Sequence, residues 1–128
     1  MIKQLILRLL TAALTFAIST ALTSWIGFPQ MKQQKQQARE ELLKNNLREM
    51  RKLIDQYAAD RKVLPKSLDD LIEKGYIREV PLDPVSGNRD WDLILVVDPF
   101  TNTGSRGISN IRSNAAGHGI DGIPYREY

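Results

Sequence analysis

The chain has 128 residues, with 18 Lys and Arg, 15 Asp and Glu, a single His and no Cys. The lack of cysteine excludes a disulfide framework, a thiolate zinc site and a cysteine nucleophile. One histidine, His118, excludes any two-histidine metal motif and leaves little for general-base chemistry. The net charge of +3 is unevenly spread: residues 1–29 carry +2, residues 30–62 carry +4 and residues 63–128 carry −3. The positive excess sits in the first half, which argues against a compact nucleic-acid surface on the folded C-terminal part and so against a nucleic-acid partner.

Residues 1–8 form a short basic segment with Lys3 and Arg8. From Leu9 to Phe28 there are twenty consecutive uncharged residues. At about 1.5 Å per residue they match a hydrocarbon core of roughly 30 Å, so the expectation for 9–28 is a transmembrane helix in contact with membrane lipid. Trp25 and Phe28 fall at its far end, where aromatic rings favour the interface. A cleaved secretory signal peptide is the competing reading. The apolar run is longer than the usual 7–15 residues of such a peptide, and no clean small-x-small site precedes the polar sequence. Thr11, Thr15, Ser19 and Thr23 recur every fourth residue, as do Ala13, Ala17 and Ala21. Small residues at that spacing let helices approach closely, which makes Thr11, Thr15, Ser19 and Thr23 candidate assembly residues; chance in a Ser/Thr- and Ala-rich span accounts for the stripes equally well.

Residues 29–62 read as a polar, then amphipathic, helix. Met31 to Arg61 contains neither Gly nor Pro and consists mainly of strong helix formers. Leu43, Leu47, Met50, Ile54 and Tyr57 step by 4, 3, 4 and 3, an apolar seam of helical period that predicts packing against the domain behind it. The stretch before the seam has almost no apolar face, and Pro29 at the junction predicts a kink.

Residues 63–128 read as a small α+β domain. Leu64-Pro65 breaks the long helix, and Ser67 with Asp70 predicts a capping box for a short helix closed by Gly75. Residues 81–90 are turn chemistry. Trp91 to Val97 predicts a strand with Trp91, Leu93, Leu95 and Val97 on one face, and Ile108 to Arg112 its antiparallel partner. Such a domain is too small to bury much alone, so its sheet is expected to pack on the seam.

The stretch from Leu47 to Trp91, followed by Ile108–Ser113 and Asp121–Tyr128, resembles the pseudopilins of bacterial type II secretion systems, in the branch nearest the major pseudopilin. The resemblance covers about residues 38–128. It is carried by Ile54-Asp55-Gln56-Tyr57, Leu64-Pro65-x-Ser67-Leu68, Gly75-Tyr76-Ile77 and Pro81-x-Asp83-Pro84-x-x-Gly87. It implies an α+β, type IV pilin-like fold: a long N-terminal helix, transmembrane in its first half, with a small antiparallel sheet packed on its second half. It also implies a non-enzymatic filament subunit that supports protein export. Its partners would be other pseudopilin-like subunits and inner-membrane secretion components. Its place would be the bacterial inner membrane, crossed once, with the C-terminal domain in the periplasm or outside.

The N-terminus departs from the family's pattern. Family members have a Gly-Phe processing junction before the apolar segment and a glutamate at the fifth mature position. Here Gly27-Phe28 lies at the wrong end of the span, and counting back from Pro29 places Ala12 at the glutamate position. The expectation is an uncleaved anchor; an atypical tip subunit or a misassigned start codon would also explain the departure.

Major pseudopilins bind calcium in their C-terminal loop, of which Ser113 to Gly122 is a fragment. That implies a possible calcium site of Asp121, Asp98 and Ser113, with Asp90 nearby, against the plain alternative that Asp121-Gly122 is a turn. His118 reads as a solvated loop residue. No nucleophile–base pair, phosphate loop or metal motif appears, and no catalytic or other cofactor-binding residue can be named. The main alternative function is an uncleaved, membrane-anchored pilin-like domain acting as a monomeric extracytoplasmic binding module.

Overall fold

Residues 1–18 and 30–128 are described in a computed structural model. The elements in chain order are α1 (Ile2–Arg61), α2 (Leu68–Glu73), β1 (Asp92–Val97), β2 (Arg106–Arg112) and a 3-10 turn at Tyr125–Glu127. The chain divides into two compact units, Met1–Gln36 and Gln37–Tyr128.

In the first unit every described residue of α1 is exposed, including Leu5, Ile6, Leu9, Leu10, Leu14, Phe16 and Ile18. The Thr11 and Thr15 hydroxyls each donate to a carbonyl three residues back, Arg8 O and Ala12 O, both at 2.9 Å. Those hydroxyl protons are therefore satisfied by the helix's own backbone. Ser19, Thr23, Ala21, Trp25 and the kink expected at Pro29 lie outside the described residues. Among the described residues no helix is long and apolar enough to cross a membrane. The expected span, 9–28, runs beyond Ile18 and so lies partly outside them.

The second unit is α+β. Its core is the seam of α1: Leu43, Leu47, Met50 and Ile54 are at most 1% exposed and Tyr57 is 6% exposed. Burying those four aliphatic side chains contributes about 6–12 kcal/mol, comparable with the whole net stability of a domain this size. Leu71 of α2, Trp91, Ile108 and Ile111 of β2, Ala115 and Tyr125 complete the cluster. α1 ends where Lys62 turns to a positive φ of 56° and Pro65 follows, forcing Leu64 out of helical geometry. The capping box forms as the spacing predicts, with the Ser67 hydroxyl accepting from Asp70 N–H and the Asp70 carboxylate accepting from Ser67 N–H. Gly75, at φ +78°, lets the chain leave α2.

β1 and β2 pair antiparallel in a two-stranded sheet, with Leu93 opposite Ile111 and Leu95 opposite Ile108. Ser109 is the extra residue of a bulge between those pairs, and its hydroxyl donates to Ile94 O at 3.2 Å. The strand expectation needs three corrections, of which the first is that β2 begins at Arg106 rather than Ile108. β1 begins at Asp92, with buried Trp91 just before it donating its indole N–H to Pro81 O at 3.0 Å. The anticipated inward face also runs out along the strand: Leu95 is 42% and Val97 62% exposed. Past the bulge only β2 stays buried, with Gly107 and Ile108 against segment 64–65, so alternation along β1 there no longer reports burial.

Segment 64–65 lies directly on β2. Ile108 N–H donates to Pro65 O at 2.7 Å, and a Cβ built on Gly107 would meet Leu64 Cβ at 2.3 Å. Only glycine fits that approach.

Candidate functional site

Three polar residues of α1, Glu40, Lys44 and Arg51, stand near Leu47 on a stripe of helical spacing and hold the segment 117–128 against the helix. Glu40 is 6% exposed, and both its carboxylate oxygens accept from Ile120 N–H at 3.1 Å, while Oε1 also accepts from the Tyr125 hydroxyl at 3.1 Å. One turn on, Lys44 Nζ lies 3.3 Å from Asp121 Oδ2 and 4.3 Å from the centre of the Tyr128 ring. This pair is partly exposed, so its ionic attraction adds little, but it fixes Asp121. Arg51 donates to Asn110 Oδ1 at 2.8 Å, to Ile111 O at 3.0 Å and to the Tyr128 carbonyl. Burial and the neighbouring Arg112 charge lower the Arg51 pKa from its ordinary value. Tyr125 supplies the strap's apolar anchor in the core and stacks edge-on with Tyr128 at 5.6 Å between ring centres.

The strap has its own internal frame. The Asp121 carboxylate accepts from Ile123 N–H at 3.1 Å and from the Tyr128 hydroxyl at 2.9 Å. A side chain at Gly119 would collide with that hydroxyl, since a Cβ there would lie 1.7 Å from it. Between helix and strap is a cleft of about 340 Å³ lined by Lys44, Leu47, Arg48, Arg51, Ile123 and Tyr128, among others.

The hydrogen bonds from Ile123 N–H and the Tyr128 hydroxyl, aided by Lys44, hold the Asp121 carboxyl below its ordinary value. Burial, the bond to Asp121 and the nearby Glu40 carboxylate push the Tyr128 phenol up. A depressed carboxyl stabilises the strap above its unfolded pKa, and that contribution is lost as pH falls through the folded value. A raised phenol does the reverse: its contribution is present below about pH 10 and is lost as pH rises through the folded value. Amide hydrogen exchange at Ile120 and Ile123 is therefore expected to accelerate, beyond its intrinsic pH dependence, at both extremes before the core opens. Asp121→Asn removes the acid limb and weakens the alkaline one, since Asp121 also helps raise the Tyr128 phenol. Equal pH dependence in parent and variant would refute the assignment.

The three residues of the anticipated calcium site belong to separate hydrogen-bond systems. Asp98, 2% exposed, accepts from Leu64 N–H at 3.0 Å and Phe100 N–H at 2.9 Å. Ser113, fully buried, donates to Asp83 Oδ2 at 2.5 Å and accepts from Ala115 N–H at 3.1 Å. Asp121 serves the strap, and Asp90 is exposed. Among the described residues no group of three or more His, Asp or Glu is placed to hold a metal ion. His118 is exposed and bridges to Pro124 through the main chain.

Sequence reasoning passed over Glu40, Arg51 and Asp83. Glu40 stands three residues before Leu43 on the period of the apolar seam, and a carboxylate on that period is the signal of a buried acceptor. Arg51 repeats Lys44 at an interval of seven residues. Asp83 sits in a run of turn residues where nothing local marks it as buried.

Comparison with family models, with curated proteins and with solved structures yields no match. What the arrangement does chemically is fasten: it supplies acceptors and cations to a loop, and no nucleophile paired with a base.

Proposed function

We propose that the chain is a pseudopilin-like structural subunit of a type II secretion filament, a relative of type IV pili, that supports protein export without catalysis. It is anchored in the bacterial inner membrane by residues 9–28, with its C-terminal domain in the periplasm or outside. It assembles with other pseudopilin-like subunits and with inner-membrane secretion components. The observation that carries this reading is the division of labour along α1. Residues 43–57 bury their apolar stripe in the second unit, whereas the described apolar residues from Leu5 to Ile18 are exposed. Such a surface requires lipid or neighbouring helices around it. The small α+β unit built on the seam, with its two-stranded antiparallel sheet, is compatible with the fold that the family resemblance implies.

The chain is free of cysteine, so single cysteines placed along residues 31–45 report neighbours directly. Crosslinking in native membranes is expected to give a ladder of multimers from at least one helix face. Monomers from every position would instead favour a membrane-anchored, monomeric binding module and overturn the filament reading.

A further inference from the structure

The first carboxylate of the chain is Glu40, and the 39 residues before it carry five cations: Lys3, Arg8, Lys32, Lys35 and Arg39. Lys3 and Arg8 stand before the apolar run, while Lys32 and Lys35 follow Phe28 by four and seven residues. Within the first unit all four of these are exposed, and none makes an ion pair or side-chain hydrogen bond with another described residue. Among the described residues none of these four charges has an ionic partner. We propose that Lys32 and Lys35 form a surface that binds the anionic phosphodiester headgroups of the lipid leaflet at that end of the apolar run.

The inference rests on the membrane-anchor reading and adds a lipid preference to it. A helical rise of about 1.5 Å places Lys32 roughly 6 Å and Lys35 roughly 10 Å beyond Phe28. The headgroup layer extends about 5–7 Å beyond the hydrocarbon, so Lys32 reaches it directly and Lys35 by folding its stem back. Spaced three residues apart, the two lysines share one side of the helix. An acidic protein surface would also attract them, but their position just past the apolar run brings phosphates within reach first. Each lysine near an anionic surface is expected to be worth about fivefold in local lipid preference.

The test uses the full chain in phosphatidylcholine vesicles carrying equal amounts of either brominated phosphatidylglycerol or brominated phosphatidylcholine. Quenching is read at Trp25, and a Trp25→Phe chain supplies the Trp91 background. The anionic quencher is expected to be preferred in the parent, by about fivefold less in Lys32→Gln or Lys35→Gln, and not at all in 1 M salt, where the Debye length falls to about 3 Å. Equal quenching by both lipids, or an unchanged preference in the double variant, overturns the lipid contact while leaving the anchor standing. A double variant that keeps the preference yet loses intersubunit crosslinks assigns the lysines to a neighbouring subunit and likewise overturns it. Quenching by neither lipid overturns the anchor and the contact together.

Discussion

Leu47→Asp in a fragment of residues 31–128 is expected to leave no cooperative thermal transition. Leu47 is 1% exposed at the middle of the seam, and the substitution removes its packing and puts an unpaired carboxylate among Leu43, Met50, Ile54 and Ile111. A charge in that position has no partner to offset its desolvation. The milder Leu47→Ala is expected to cost about 3–5 kcal/mol, a fall in melting temperature of about 15 °C or more. Leu42 provides the control: it is 51% exposed and a neighbour of the seam, so Leu42→Asp should shift the melt by only a degree or two. Far-ultraviolet circular dichroism during heating reads all three. If Leu47→Asp melts like the parent, the helix does not carry the core.

Asp83→Ala is the second large loss. Asp83 is fully buried; its Oδ1 accepts from Val85 N–H at 2.8 Å and Ser86 N–H at 3.2 Å, and its Oδ2 from the Ser113 hydroxyl. Removing the carboxylate strands three donors at once. Each buried donor without a partner costs about 1–3 kcal/mol, so a loss of about 3 kcal/mol or more is expected even after partial rehydration. Asp83→Asn keeps an oxygen for the two backbone donors and turns an amide toward Ser113, so its loss should be smaller. Urea midpoints, at an unchanged slope, separate the two variants. Identical midpoints would mean that the 81–90 turn does not depend on this side chain.

The elements that were legible in the sequence carry their whole signal within one or two turns. The seam from Leu43 to Tyr57, the Ser67–Asp70 box and the helix stop at Leu64-Pro65 are local patterns with local causes. What was not legible depends on partners far along the chain. Nothing near Asp83 announces Ser113, and nothing near Leu95 shows that it is left exposed while its partner Ile108 is buried. The calcium expectation grouped Asp98, Ser113 and Asp121 on the resemblance to the C-terminal loop of major pseudopilins. Their actual partners, Leu64, Asp83 and Lys44, come from three other places. In the first unit the described residues show exposed apolar side chains and cations without an ionic partner among them.

The strap has a consequence for the order in which the protein becomes itself. Its bonds to α1 join residues 77, 80 and 85 positions apart, from Lys44 to Asp121 and from Glu40 to Ile120 and Tyr125. The sheet that covers the seam comes from residues 92–112, also late in synthesis. A ribosome therefore releases the apolar face of the helix long before anything exists to cover it. Closing loops of that span is slow compared with forming the helix, since long-range contacts repay their closure entropy only at the end. In the interval, the nascent chain displays Leu43, Leu47, Met50 and Ile54 to whatever is nearby. Early membrane tethering of the first unit would confine each chain's search and shorten its exposure to other unfolded copies.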